Sequence, residues 1–227
     1  MIEELKEYRA LTYLGHKSDI FTLTCEESAK LCLPLITFGI GSISDRVQHN
    51  KTGFLAKNDQ EFAESDIRLW KQSSDVPINE AYINSILDEI EPIDGAEDLI
   101  QSLHQKGIQT VILSGGIKYL AVKWAEKWNM KEAIANHLID DENGNLQVVI
   151  ESSGHAKGPI MDALLDRLNI SKDEVAAVGD TVVDIPLFER AGLGIAVNTN
   201  DQRLIDEADY HLKEKNLRKL IPIITSW

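Results

Sequence analysis

The chain has 227 residues, of which 43% are hydrophobic and 26% are charged. This composition excludes a wholly disordered protein and supplies apolar surface for one sizeable core or two small ones. The 37 Asp and Glu residues outnumber the 23 Lys and Arg residues, giving a formal net charge of −14 that disfavours binding to nucleic acid or anionic lipid. The N-terminal sequence is acidic, and no apolar run is long enough to span a bilayer. These two features predict a cytoplasmic protein without a membrane partner.

The sequence of residues 1–58 predicts an α/β segment, and that of residues 59–93 predicts a small helical cap. Leu33–Phe38 is typical of a buried strand, and Lys51–Ala56 of a second, shorter strand. The two amphipathic stretches that follow carry apolar side chains at helical spacing. These side chains belong to Phe62, Ile67, Trp70, Ile83, Ile86 and Ile90.

Residues 94–227 alternate between helix-like and strand-like stretches. This order favours a mostly parallel sheet covered by helices on both faces. The predicted helices are 96–107, 117–128, 159–168, 184–192 and one near 216–224; the predicted strands are 108–114, 133–140, 146–150, 174–180 and 193–198.

Chemistry is expected first where strands end, because the ligand crevice of an open parallel sheet lies at the carboxyl ends of its strands. The strand 108–114 ends in Ser114, Gly115 and Gly116. A hydroxyl followed by two residues that allow close backbone approach, next to a helix start, is a candidate phosphate site. The same tripeptide is equally typical of a turn that caps a helix.

Two carboxylates follow the strand 174–180. Asp180 ends the strand and Asp184 opens the next helix, so both are expected at the crevice, where hard oxygen ligands suit Mg²⁺ beside a phosphate. The structural alternative is that Asp184 caps the helix and Asp180 forms an Asx-turn.

Lys157 falls where the helix before Asp180 begins. A cation is unfavourable at the positive end of a helix dipole unless an anion offsets it, which favours a functional role. The alternative is a solvated surface lysine.

Taken in order, these three features resemble the later motifs of the haloacid dehalogenase superfamily of phosphohydrolases, most closely its phosphoserine phosphatase-like branch. The likeness covers about residues 60–225 and rests on three stretches. They are PIDGAEDLIQSLHQKGIQTVILSGG, AIANHL, and VAAVGDTVVDIPLFERAGLGIAVN with EADYHL after it.

The resemblance implies a three-layer Rossmann-like core with a cap over a small phosphomonoester, and Mg²⁺-assisted phosphoryl transfer through an aspartyl phosphate. Ser114 and the Gly115–Gly116 backbone would then hold phosphate oxygens, and Lys157 would neutralise phosphate and carboxylate charge. Asp180 would bind Mg²⁺, and Asp184 would orient Asp180 or a metal-bound water.

The family's first motif, Asp-x-Asp-x-Thr, is missing. No two aspartates in the chain are separated by a single residue, so the attacking carboxylate is not identified. Asp19, which precedes Thr22 and Thr24, is the only N-terminal candidate nucleophile.

Residues 11–70 show a second resemblance, to part of the C-terminal domain of retaining glycosyltransferases. LP, GSISDRV and KTGFL carry it, and Asp19 and Glu27 fall at the spacing of that family's paired acids. The structural alternative is a βαβ element with solvated acids. The two resemblances meet near residue 60. We therefore also consider that residues 1–58 take the place of the first strand of the hydrolase core.

Three functions therefore follow from the sequence. The first is a Mg²⁺-dependent phosphatase of a small phosphorylated metabolite. The second is a regulatory protein that binds phosphate and Mg²⁺ without turnover, and the third is a nucleotide-sugar-binding partner of a glycosyltransferase. The substrate and the oligomeric state are left open.

Overall fold

The structure, a computed structural model, describes residues 11–13, 35–38, 47, 53–73, 76, 78–152 and 156–227. The chain forms two compact units, one of residues 1–83 and 138–150 and the other of residues 84–137 and 151–227. Asp19 and Glu27 lie outside the described residues. The three-part division at residues 58 and 93 stays a prediction.

Three short strands of the first unit form a parallel sheet in the order β1-β2-β3. They are β1 (Leu11–Tyr13), β2 (Leu35–Phe38) and β3 (Gly53–Ala56). Within the described ranges these strands pair only with one another. That the N-terminal segment completes the core of the hydrolase remains a prediction.

Both predicted cap helices form, as α1 (Asp59–Ser73) and α2 (Glu80–Leu87). Ile67 of α1 packs with Leu146 and Val148 of strand β6 (Leu146–Val149). In α2 the buried residue is Leu87, whereas Ile86 is 47% exposed. Ile83, one turn before Leu87, packs on the Ile67 cluster.

The second unit shows the predicted alternation of helices and strands. Strand β4 pairs in parallel with β5, and β7, β8 and β9 form a separate parallel sheet. The elements are α3 (Ala96–Gln105), β4 (Val111–Ile117), α4 (Lys118–Lys127), β5 (Glu132–Asp140), α5 (Lys157–Leu168), β7 (Ala176–Gly179), α6 (Ile185–Phe188), β8 (Leu193–Val197), α7 (Gln202–Asp206), β9 (Tyr210–Leu212) and α8 (Leu220–Ser226).

Strand β8 explains the layered packing of this unit, because it is buried along its whole length. Leu193, Ile195 and Val197 face a cluster built from α3 and α8. Ala196 faces a second cluster, built from α5, α6 and α7. Helices therefore cover both faces of the sheet, and the predicted α/β class with parallel strands is confirmed.

Several element boundaries differ from the prediction, two of them at the candidate site. β4 continues to Ile117 and so includes Ser114–Gly116. The predicted helix 184–192 is shorter, running from Ile185 to Phe188 after a 3₁₀ turn at Val182–Asp184. No helix of the described residues is long and apolar enough to cross a membrane.

Replacing Ile195 by Ala is expected to lower the free energy of unfolding by about 2–5 kcal/mol, because this fully buried side chain would leave a cavity in β8. Urea denaturation of the full chain measures the loss. Ile90→Ala is the matched control, since Ile90 is 42% exposed. Equal losses in the two variants would contradict the assigned core.

Candidate active site

A buried ion pair joins α5 to the turn after β7. The Lys157 ammonium lies 2.5 Å from Oδ1 of Asp184, and the two residues are 6% and 4% exposed. Lys157 begins α5, and its charge at this helix end is offset by the carboxylate that it meets. Burial makes the pair interdependent, because each charge alone would lack both water and a counter-ion.

The second oxygen of Asp184 fixes the turn at Asp180 and Thr181. Oδ2 accepts hydrogen bonds from the backbone N–H groups of both residues, each at 3.1 Å, and from the Thr181 hydroxyl at 3.3 Å. Together with the Thr181 side chain, Asp184 forms a capping box. The capping role considered as the structural alternative is therefore present, although it does not account for the contact with Lys157.

Gly179 allows this approach. A Cβ atom built at Gly179 would overlap the Asp184 side chain, with Cγ at 2.7 Å and Oδ2 at 2.8 Å. Any residue larger than glycine would therefore push the carboxylate away from the turn, and the sequence Gly179-Asp180 is needed to place Asp184.

Asp180 itself is exposed at the carboxyl end of β7. Its backbone N–H is held by Asp184, but among the described residues its side chain makes neither an Asx-turn nor an ion pair. Among the described residues the Asp180 carboxylate is therefore unpaired, on a turn whose backbone Asp184 holds.

Ser114, Gly115 and Gly116 form an irregularity within β4. Leu113 pairs with Ile134 of β5 and Ile117 pairs with Asn136, so three residues of β4 lie opposite one residue of β5. The Gly116 N–H donates to Oγ of Ser114 at 3.0 Å. The tripeptide therefore forms a bulged turn, in which both glycines are exposed.

This bulge and the Lys157–Asp184 pair have no hydrogen bond between them among the described residues, but their elements share a core. Val111 and Leu113 of β4 pack on the cluster that contains Met161 of α5 and Ala177 of β7. Asp184 thus contacts Lys157 with one oxygen and the backbone of Asp180 with the other, and the strand that carries the Ser114 bulge packs on a cluster to which α5 contributes.

Sequence reasoning missed Asn136, which lies beside the bulge. Its Nδ2 donates to the Gly115 carbonyl oxygen at 2.8 Å, and its Oδ1 accepts from the backbone N–H groups of Glu151 at 2.9 Å and Ser152 at 2.8 Å. The available signal was an asparagine in the middle of an apolar strand, where this residue type is depleted.

A charged cluster of Lys118, His137 and Glu151 lies next to Asn136. The Lys118 ammonium is 2.9 Å from Oε2 of Glu151, and Nε2 of His137 is 2.9 Å from Oε1. The hydrogen bond from Lys118, with a smaller contribution from His137, holds the pKa of the Glu151 carboxyl below its ordinary value, against partial desolvation.

Comparison with known proteins identifies the family. The family model of the haloacid dehalogenase-like hydrolases matches residues 3–192, which is more than half of the chain. The chain belongs to the haloacid dehalogenase-like hydrolases.

Among curated members of this hydrolase family, two phosphoserine phosphatases are similar to the chain. That of Archaeoglobus fulgidus is 30% identical over 194 residues, covering 82% of this chain and 51% of its own length. That of Methanocaldococcus jannaschii is 31% identical over 153 residues, covering 66% of this chain and 71% of its own length. The chain therefore spans about half of the first relative.

A solved structure of a phospho-aspartyl intermediate analogue of phosphoserine phosphatase is also similar, with a TM-score of 0.62 and 30% identity over 71% of this chain and 76% of that one. The resemblance of residues 60–225 to the phosphoserine phosphatase-like branch is thus confirmed. The hydrolase model includes all of residues 11–70, and these comparisons give the glycosyltransferase-like interpretation no support.

The residues fit a divalent cation in part. Asp180 offers the free, exposed carboxylate that a hard cation binds. Both oxygens of Asp184 are already engaged, so this side chain suits orientation better than coordination. The described part of the chain contains no group of three or more His, Cys, Asp or Glu residues that could hold a metal ion.

Asp184→Asn is expected to destabilise the chain by about 3–5 kcal/mol, because the buried Lys157 side chain would lose its counter-ion. Thermal and urea unfolding measure the loss. The control is Glu132→Gln, which removes the partly exposed partner of the exposed Arg167 and should cost no more than about 1 kcal/mol. A loss as small in Asp184→Asn as in the control would show that the pair does not hold the turn.

Lys118→Met is expected to raise the pKa of Glu151, because the ammonium is the main cause of its lowering. Carboxyl-carbon NMR titration of the wild type and the variant measures it. Since a lowered pKa contributes stability above the ordinary pKa that is lost as the pH falls through the lowered value, the variant should also lose less stability on acidification. An unchanged Glu151 titration would contradict the assignment.

Proposed function

We propose that the chain is a phosphatase that hydrolyses a small phosphomonoester at the carboxyl ends of β4 and β7. The main support is the free Asp180 carboxylate, held on a turn that the buried Lys157–Asp184 pair fixes. Such a carboxylate is suited to bind a cation that in turn binds a phosphate. Family membership and the similarity to phosphoserine phosphatases support the same reaction class.

In this proposal the bulge of β4 binds phosphate oxygens. Ser114 Oγ accepts from the Gly116 N–H, so the hydroxyl proton is left to donate to an anion. Gly115 would contribute its N–H group, and Gly116 would act through Ser114. A side chain at Gly115 or Gly116 would cover the backbone that the anion approaches.

Asp180 would hold Mg²⁺, with Asp184 positioning the turn. The bound cation would supply charge neutralisation for the phosphoryl group. Lys157 would hold the Asp184 side chain in place, and its positive charge would be shared between Asp184 and the phosphate.

The attacking group is the open part of the mechanism. The reaction requires a carboxylate that displaces the alcohol from phosphorus and a proton donor for the leaving oxygen; water then releases phosphate from the acyl phosphate. Asp19 remains the only N-terminal candidate for the nucleophile, and it lies outside the described residues.

A second candidate function is a regulatory protein that binds phosphate without turnover. The observation in its favour is that no two aspartates of the 227 residues are separated by one residue. Loss of an attacking carboxylate removes many powers of ten in rate while binding groups persist. This function would keep the same roles for Ser114, Lys157 and Asp180.

Phosphoserine is the first substrate to test, because the similar curated proteins are phosphoserine phosphatases. Cytoplasmic location and the absence of nucleic-acid and membrane partners belong to the proposal as well. The acidic net charge of −14 supports the expectation that the chain does not bind polyanions such as nucleic acid.

Phosphate release from phosphoserine and a panel of small phosphomonoesters, with and without Mg²⁺, tests the proposal. We expect release that depends on Mg²⁺ and falls at least about a hundredfold in Asp180→Asn, because the carboxylate that binds the cation is lost. Asp166→Asn is the matched control, since Asp166 is an exposed carboxylate on α5.

The remaining outcomes separate the candidate functions. A loss of release in Asp19→Asn with unchanged phosphate binding would identify the nucleophile. Phosphate binding without release by the wild type would favour the regulatory protein. Neither release nor phosphate binding by folded wild-type chain would exclude both functions.

A further inference from the structure

The side-chain amide of Asn136 makes three hydrogen bonds. Its carboxamide oxygen accepts from two consecutive backbone N–H groups, those of Glu151 and Ser152. Its nitrogen donates to the Gly115 carbonyl. This fixes the orientation of the amide, because a flipped carboxamide would set its NH₂ against two donors and its oxygen against a carbonyl oxygen.

The Gly115 carbonyl and the Gly116 N–H belong to one planar peptide group, so they point in opposite directions. The carbonyl accepts from Asn136, and the N–H donates to Oγ of Ser114. Asn136, the Gly115–Gly116 peptide and Ser114 therefore form one continuous chain of hydrogen bonds. Each bond in such a chain polarises the next.

We propose that Asn136 is a positioning residue that orients the Ser114 hydroxyl through the Gly115–Gly116 peptide. Without the bond from Asn136, this peptide could rotate, since neither glycine restricts its own backbone. The Gly116 N–H would then leave Oγ of Ser114, and the hydroxyl would no longer be set as a donor. The inference rests on the proposed role of Ser114 in binding phosphate.

The surroundings of Asn136 support a fixed rather than an adjustable contact. Ser152, which donates to Asn136, is 0% exposed. A Cβ built on Gly115 would lie 3.6 Å from the Ser152 carbonyl oxygen. The segment 151–152 therefore lies directly against the bulge, and Asn136 joins the two through its single carboxamide.

The test is a double-mutant cycle on phosphate affinity, with inorganic phosphate as the probe, Mg²⁺ present and isothermal calorimetry on the full chain. Asn136→Asp is nearly isosteric and keeps the acceptor for Glu151 and Ser152, but it loses the donor to Gly115. We expect Asn136→Asp and Ser114→Ala each to weaken binding about ten- to a hundredfold, as expected for a lost hydrogen bond to a charged group.

The double variant decides the mechanism. If Asn136 acts through Ser114, Asn136→Asp should change the affinity less than about twofold in the Ser114→Ala background. An undiminished effect there would overturn the proposal, since it would show charge repulsion or a general loss of structure instead. Asn136→Ala removes all three bonds without adding charge and must show the same dependence on Ser114.

Two controls keep the outcomes separate. Asn143→Asp adds an equal charge at an exposed turn and should leave phosphate affinity unchanged, and thermal unfolding checks that each variant is folded. If the wild type binds phosphate but Asn136→Asp binds equally well, this inference alone is wrong. If the wild type binds no phosphate, the proposed function fails and the inference fails with it.

Discussion

The buried contact between Lys157 and Asp184 is the constraint on which the rest of the candidate site depends. It links the start of α5 to the turn after β7, and the same carboxylate holds the backbone of Asp180 and Thr181. Gly179 is required because its missing Cβ leaves room for Asp184. The Asp184 carboxylate thus both stabilises the fold and shapes the candidate site. A capping box alone would not need a buried lysine.

The bulge in β4 is built on a different principle. Its shape comes from three residues opposite one on β5, and two of the three are glycines that tolerate this geometry. Whereas Asp184 is held by charge and burial, Ser114 is held by neutral hydrogen bonds that run through a peptide group to Asn136. The first half of the site therefore depends on a buried pair of opposite charges, which salt screens little, and the second half depends on uncharged donors and acceptors.

The sequence predicted most of the second unit because its strands are continuous apolar runs and its helices are amphipathic; LGIAV, for example, becomes β8 with helices on both faces. Sequence reasoning could propose Lys157, Asp180 and Asp184 as site residues, because each of them follows a strand or begins a helix. Asn136 could not, because its role depends on the pairing register of β4 with β5 and on the return of the chain at Glu151. The ends of β4 were also mispredicted, since a bulge is formed by strand pairing and leaves only a glycine pair in the sequence.

Charge balance sets a further condition on any phosphate that binds here. The positive charge of Lys157 is already matched by Asp184 at 2.5 Å, so it cannot by itself neutralise a dianion. Asp180 then adds a negative charge with no partner among the described residues. An anion would meet a net repulsive field at this turn, in a chain that already carries a formal charge of −14. A divalent cation at Asp180 would reverse the local sign, and phosphate binding is therefore expected to require the cation even where no bond is broken.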